Sequence, residues 1–259
     1  MTNKLQVVKS ACQKAGEKVL LMQNKLKSIK NKKGRIDDFV TDADIASEKI
    51  IVEAINANFP KHAILSEEDN DKDIESDYLW VIDPIDGTTI YTAGMPTFAI
   101  SVGLLFKNKP ILGVVNLPAL NSLYWAQKGK GAYVGGKKIK VSNKKRLIHS
   151  VVGSDFKIID ARVEEFKKTN LPLFAKVRTM PMLGSAVLGT VFVAHGIYDA
   201  YIHRAHPWDF IASALIVKEA GGKITDYKGK TIQNWLQYNI DIIASNGIIH
   251  DQILSQLNK

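Results

Sequence analysis

From Leu79 to Ile82 the chain is apolar without a break, and it then reads Asp83-Pro84-Ile85-Asp86-Gly87-Thr88-Thr89. A short apolar run closed by turn-forming residues reads as a strand that reaches the core. This strand carries two carboxylates to the rim of that core, where a charge is costly unless it is paired or bound to a cation. Two readings fit. Asp-Gly is a common turn dipeptide, so Asp86 and Gly87 can simply reverse the chain. Alternatively, Asp83 and Asp86 are the floor of a metal site. Pro84 then stiffens the backbone between them, Gly87 permits a sharp bend, and the Ile85 carbonyl is a further oxygen for a cation.

The remaining sequence bounds the setting. At 259 residues, 46% of them hydrophobic, the chain can bury a sizeable core as one large domain or as two halves sharing an interface. Cys12 is the single cysteine, which excludes an intramolecular disulfide framework and fits a reducing cytoplasm. No apolar run approaches the roughly 20 residues that span a bilayer. The lysine-dotted N-terminus does not have the form of a secretory signal. A cytoplasmic location without membrane association is therefore expected. Lys and Arg outnumber Asp and Glu by 35 to 26, a formal net charge of +9. The lysines gather at 25–35, 135–140 and 144–147, as solvated surface or as a field that draws anions. No nucleic-acid motif accompanies them, so nucleic acid is not expected as the main partner.

Apolar residues at spacings of three and four predict a first helix over 4–29, with Leu5, Val8, Cys12, Ala15, Val19, Met22, Leu26 and Ile29 on one face. A second helix follows over 40–59, with Ile45, Ile51 and Ile55 as its buried stripe and Pro60 at its end. Short strands are expected at 62–68 and 78–83, separated by an acidic loop over 69–77. Further strands at 97–106, 109–118 and 121–141, with turns at Lys107–Lys109 and Gly135–Gly136, give an antiparallel meander. Beyond 147 the pattern alternates. Strands are expected at 150–156, 175–181, 198–203, 223–227 and 241–246, and helices at 159–169, 184–196, 209–222 and 247–257. The class is α/β or α+β.

Mg2+ takes oxygen ligands, and two such ions held close together need a bridging carboxylate. Acidic residues at strand ends and helix starts are therefore the candidates: Glu67 and Glu68 after the first short strand, Asp83 and Asp86, Asp209 opening an apolar helix, and Asp44 or Asp42 opening the second helix. Each has an ordinary alternative as turn residue, helix cap, loop or first-turn charge.

Together these segments closely resemble the inositol monophosphatase superfamily of Mg2+-dependent, lithium-sensitive phosphatases. The likeness runs through VTDAD (40–44), SEE (66–68), DPIDGTT (83–89), MPTFAISVG (95–103), GKGAYVGGKKIKVS (129–142), HPWDFIASALIVKEAGG (206–222) and ASNGIIHDQIL (244–254). The resemblance implies a layered αβαβα sandwich of the inositol monophosphatase/fructose-1,6-bisphosphatase type, commonly homodimeric. Residues 1–147 would form an α+β half with most metal ligands, and 148–259 an α/β half with the last ligand and the substrate wall. It implies a first Mg2+ on Glu67, Asp83 and the Ile85 carbonyl, a second on Asp83, Asp86 and Asp209, and a third beside Glu67. Thr88 would position the attacking water with Asp44 as its partner, and the N–H groups of Gly87 and Thr88 would meet the phosphate. Gly184, Ser185 and Ala186 match the small-residue substrate wall, whose ordinary alternative is close helix packing.

The chain departs from the family in places. Ile90 and Tyr91 stand where animal members carry Asn-Phe. Ile202 stands seven positions before Asp209, where those members carry a glutamate that contacts inositol hydroxyls. His203, Arg204 and His206 are then either exposed loop residues or groups near a second phosphate or sugar edge. The activity implied is hydrolysis of a small phosphorylated polyol, sugar or nucleotide, nearest to inositol-1-monophosphatase. Alternatives are 3′(2′),5′-bisphosphate nucleotidase, fructose-1,6-bisphosphatase, NADP phosphatase or histidinol phosphatase, and, from another class, a basic RNA- or protein-binding member with a vestigial site.

Overall fold

A computed structural model describes residues 3–23, 25–26, 28–31, 39–69, 76–155 and 162–258. Most of the expected acidic loop at 69–77, the segment 32–35 and the first part of the helix expected at 159–169 lie outside them.

Helix α1 (Lys4–Met22) starts at Asn3, whose Oδ1 accepts the Leu5 N–H at 3.1 Å, and buries Leu5, Val8, Ala11, Cys12, Ala15 and Val19. It stops short of the expected end. The Gln23 amide turns aside to donate to the carbonyls of Tyr91 and Met95, and Ile29 enters strand β1 (Ile29–Asn31). That strand pairs antiparallel with β2 (Phe39–Thr41), and Ile29 is 55% exposed. The spacing shows which residues can share a face, and here local pairing decides where the helix ends. Helix α2 (Asp42–Asn58) opens on a capping box of Thr41 and Asp44. Its inner stripe is Ala43, Ser47, Ile51 and Ile55, each four apart. Ile45 lies six positions before Ile51, about 240° around the helix, and is exposed.

The large sheet has seven strands in chain order: β3 (Ala63–Ser66), β4 (Tyr78–Asp86), β5 (Ala99–Phe106), β6 (Lys109–Leu117), β7 (Ser122–Gln127), β8 (Ala132–Val134) and β9 (Lys137–Ile139). Only β3 and β4 run parallel. A short helix α3 (Thr88–Thr92) follows β4, and Lys107 and Asn108, both at positive φ, make the β5–β6 hairpin.

The second sheet has the order β10 (Val152–Ser154), β11 (Ala200–Ala205), β13 (Ile240–Ser245), β12 (Lys223–Asp226), with β10 parallel to β11. Helix α4 (Arg162–Glu165) passes through a wide turn into α5 (Leu171–Phe174). Helices α6 (Ala186–Ala194), α7 (Pro207–Glu219) and α8 (His250–Leu257) complete the chain. The strand expected at 175–181 is reduced to a bridge between Val151 and Thr179, since Pro181 has no N–H to continue a ladder. No helix among the described residues is long and apolar enough to cross a membrane.

Side-chain alternation stacks these elements into the expected αβαβα layers. Trp80, Ile82, Ile100, Val102, Leu104 and Val114 face α1 and α2. Leu79, Val81, Leu105, Val115 and Ala126 face α6 and α7, whose other sides meet Tyr201, Ala205, Ile224 and Ile242 of the small sheet. Ile202, Ile243 and Val152 then face Leu173 of α5 and Ile253 of α8.

Helix α7 is buried from Pro207 to Val217 and lies tight against the large sheet. A Cβ on Gly113 would stand 2.6 Å from the Ala212 carbonyl oxygen, and one on Gly103 would stand 2.6 Å from Ile211 Cγ2. At the outer layer, Ser245 and Thr225 grip the buried His250 ring at 2.7 and 2.9 Å. Thr225 donates its own proton to the Asp226 carbonyl, so it accepts from Nε2–H, and in the neutral ring Nδ1 is left to accept the Ser245 proton. Burial, followed by the Lys223 charge, pushes the His250 pKa down to about 4.

Two stability predictions follow from these contacts. Gly113→Ala pushes α7 off β6 and should cost about 2 kcal/mol by urea denaturation. His250 titrates lower folded than unfolded, so its contribution is complete above about pH 6.5 and is lost as pH falls toward 4. With solvent screening, that loss should be about 2 kcal/mol between pH 7.5 and 4. His250→Phe should be weaker at pH 7.5 yet show a flatter pH dependence.

Candidate active site

Strand β4 does not end in a turn before Asp86. It continues through Asp86, with Asp83 opposite Ser101 and Asp86 opposite Ala99. Three steps on β4 against two on β5 make a β-bulge. The bulge matters because residues three apart on a regular strand face opposite sides, and one extra residue lets both aspartates face the same way. The Ser47 hydroxyl holds the bulge by donating to the Pro84 carbonyl at 2.8 Å.

Asp209 meets them from the far end of the sequence. The Ser101 hydroxyl donates to the Trp208 carbonyl at 3.2 Å, which ties the start of α7 to the strand beside Asp83. Asp209 is the third residue of α7 rather than its cap, and its Oδ2 accepts the His206 N–H at 2.7 Å. The result is three buried carboxylates, Asp83, Asp86 and Asp209, whose ligand oxygens all lie within 4.8 Å of one another. Asp86 is held through Oδ2, which accepts the Ser185 hydroxyl and, at 2.9 Å, the Val187 N–H.

The other expected residues fall around this triad. Glu67 follows β3, and its N–H donates to the Ile82 carbonyl at 3.1 Å, level with Asp83 across the parallel pair. The Ile85 carbonyl is not left open as the sequence suggested. It accepts the Thr88 hydroxyl at 3.0 Å, although a carbonyl retains a second lone pair. Asp44 Oδ1 lies 3.5 Å from the same hydroxyl, while its Oδ2 is fixed by the Thr41 N–H and hydroxyl. Asp44 therefore serves both as capping-box residue and as neighbour of Thr88. Gly87, at φ +87°, starts α3 directly beneath Gly184, and a Cβ there would stand 2.8 Å from the Gly184 carbonyl oxygen. Ser185 caps α6, and Ala186 is buried in its first turn.

The structure corrects the expectations for the strand before Asp209. Ile202 is buried on the outer face of β11, so it does not stand at the triad. The next residue, His203, faces inward with 2% exposure and Nε2 3.9 Å from Asp209 Oδ2, and is not a loop residue. Arg204 alternates outward again. Its guanidinium grips Asp241 at 2.7 and 3.2 Å on the face away from the carboxylates. Tyr91 is core: it is fully buried, edge-on to Phe98, and donates to the Val19 carbonyl at 2.7 Å. Burial first, then the Asp44 and Asp42 charges, pushes its pKa up.

A family model described as the inositol monophosphatase family matches residues 2–259. The chain belongs to the inositol monophosphatase family. Its members are phosphoric monoester hydrolases, and this chain is a phosphatase of that family. A fructose-1,6-bisphosphatase/inositol-1-monophosphatase of Thermotoga maritima is 35% identical over 250 residues, 95% of this chain and 92% of the relative. The extragenic suppressor protein suhB of Bartonella henselae superposes with a TM-score of 0.90 at 30% identity, covering 98% of each chain. An IMPase/NADP phosphatase solved with NADP and Ca2+ superposes with a TM-score of 0.85 at 25% identity, covering 100% of this chain and 97% of that one.

The donor set fits a divalent cation on its own chemistry. Three buried carboxylates this close repel one another, and hard oxygen donors favour a hard, highly charged ion. Asp83→Asn removes one of those charges. It should raise the melting temperature of the chelated protein by about 3 °C. It should also abolish the further rise on adding Mg2+, read by differential scanning fluorimetry.

Proposed function

We propose that the chain is a Mg2+-dependent phosphomonoesterase of broad range, acting on inositol monophosphate and on small sugar phosphates such as fructose 1,6-bisphosphate. The observation that carries the reading is the convergence of Asp83, Asp86 and Asp209 within 4.8 Å, beside the Thr88–Asp44 pair. Asp83, Asp86 and Asp209 would hold one ion; Glu67, Asp83 and the Ile85 carbonyl would hold another, with a third beside Glu67. Bound there, Mg2+ supplies charge neutralisation for the phosphate oxygens and acidifies a nearby water.

The protein's own groups do the rest. Thr88 would present its hydroxyl oxygen to the attacking water, its own proton turning from the Ile85 carbonyl to Asp44 Oδ1, which the Thr41 cap holds in place. The N–H groups of Gly87 and Thr88 face the phosphate, and Gly184, Ser185 and Ala186 line the wall against which the substrate lies. Breadth is supported by the double name of the Thermotoga relative and by the NADP-bound neighbour. It is also supported by His203 as the inward group of β11, since the two nitrogens of an imidazole ring can hydrogen-bond many kinds of partner. The same reading makes the enzyme a cytoplasmic, lithium-sensitive homodimer.

Chelated protein restored with Mg2+ should release phosphate from both named substrates, and Thr88→Ala should lower kcat about a hundredfold with the fold intact. A panel including adenosine 3′,5′-bisphosphate, NADP and histidinol phosphate ranks the substrates. The reading is wrong if inositol phosphate and fructose bisphosphate are the poorest of that panel, or if Thr88→Ala turns over like wild type.

A further inference from the structure

The turn at Gly184–Ser185, which supplies the hydroxyl that holds Asp86, lies between Pro181 and α6 and belongs to neither sheet. Two side-chain contacts tie it down. The Thr97 hydroxyl donates to the Leu183 carbonyl at 3.0 Å, and the Gly184 N–H donates to Asp155 Oδ1 at 2.8 Å. Asp155 follows directly on β10, and its other oxygen accepts the Tyr201 hydroxyl at 2.6 Å.

Tyr201 is an immovable post. It is 1% exposed, and its ring is wedged between two glycines. A Cβ on Gly189 would stand 2.2 Å from Tyr201 Cε2, and one on Gly153 would stand 2.9 Å from Cδ2. A fixed phenol thus orients one carboxylate oxygen of Asp155, and the other grips Gly184. The residue after Gly184 is Ser185, whose Oγ accepts the Leu188 N–H at 3.2 Å and donates to Asp86 Oδ2. Asp155 is partly buried, and burial pushes its pKa up against the lowering effect of the Tyr201 and Gly184 hydrogen bonds. With both oxygens engaged, Asp155 acts as a structural tie rather than as a solvated surface charge.

We infer that Asp155 is a positioning residue for cation binding, holding the Gly184–Ser185 turn against Tyr201 so that Ser185 and the Val187 N–H orient Asp86. This rests on the reading of Asp86 as a metal ligand. Asp155 itself touches neither the cation nor the substrate; it acts through the turn.

The test is calorimetric titration of Mg2+ into the chelated, full-length protein, alongside the Mg2+ half-saturation of phosphate release. Asp155→Ala should weaken Mg2+ binding about tenfold or more, with kcat largely recovered at saturating Mg2+. Asp155→Asn, which keeps an acceptor for Gly184 N–H, should weaken it only about threefold. Ser185→Ala should weaken binding too, and the double variant should be little worse than the stronger single one, since both act through one contact. Thermal unfolding checks each variant. Should Asp155→Ala not fold, Asp155→Asn alone and with Ser185→Ala carries the comparison. Wild-type Mg2+ affinity in the folded Asp155 variant, or fully additive effects with Ser185→Ala, overturns the inference alone. Unchanged Mg2+ binding in Asp86→Asn overturns both the inference and the metal assignment beneath it.

Discussion

Three carboxylates buried within 4.8 Å of one another are a source of repulsion that the fold has to hold in place. The architecture around them makes sense as the means of doing so. Asp83 and Asp86 ride on a strand in the middle of the molecule, between a helical layer and α7, where the backbone cannot yield. Asp86 and Asp209 are each oriented through Oδ2 by backbone N–H groups, so their direction does not depend on the charge beside them. Carboxylates supported in this way would need little reorganisation to hold an ion.

The middle layer sets the distance between the two ends of the site. Gly103 and Gly113 let α7 approach the large sheet closely, and the Ser101 hydroxyl fixes the level of its first turn. Asp209 is therefore placed by packing along a buried helix rather than by a local loop. The small sheet contributes from the other side, through His203 and the Tyr201–Asp155 pair. The site is assembled where both sheets and the central helices meet.

Much of this was legible in the sequence, for identifiable reasons. The unbroken apolar run Leu79–Ile82, closed by turn-forming residues, is legible as a strand that reaches the core. The ends of the hairpins carry residues suited to tight turns. Asp83, Asp86 and Asp209 are legible as acidic residues at a strand end and a helix start, whereas the pairing of Thr88 with Asp44 comes from the family resemblance. What was missed depends on partners distant in sequence. Whether α1 continues to Ile29 is decided by β2. Ile45 is apolar, which points it inward, but its angle on the helix turns it to solvent. Ile202 and His203 could not be told apart without knowing which face of β11 meets α7. The bond from Ser185 to Asp86 is not legible, because nothing in the sequence around Ser185 points to Asp86, and Asp155 follows a short strand with no motif around it.

The bulge in β4 has a wider meaning. Because strand side chains alternate, the common orientation of Asp83 and Asp86 is a matter of parity: an extra residue between them, not the identity of Pro84 or Ile85 alone, keeps both carboxylates on one side. Sequence change in this segment is therefore constrained in length before it is constrained in kind. Substitutions between the aspartates can be absorbed, whereas loss or gain of a single residue turns one carboxylate away from the other however well the remaining motif is preserved.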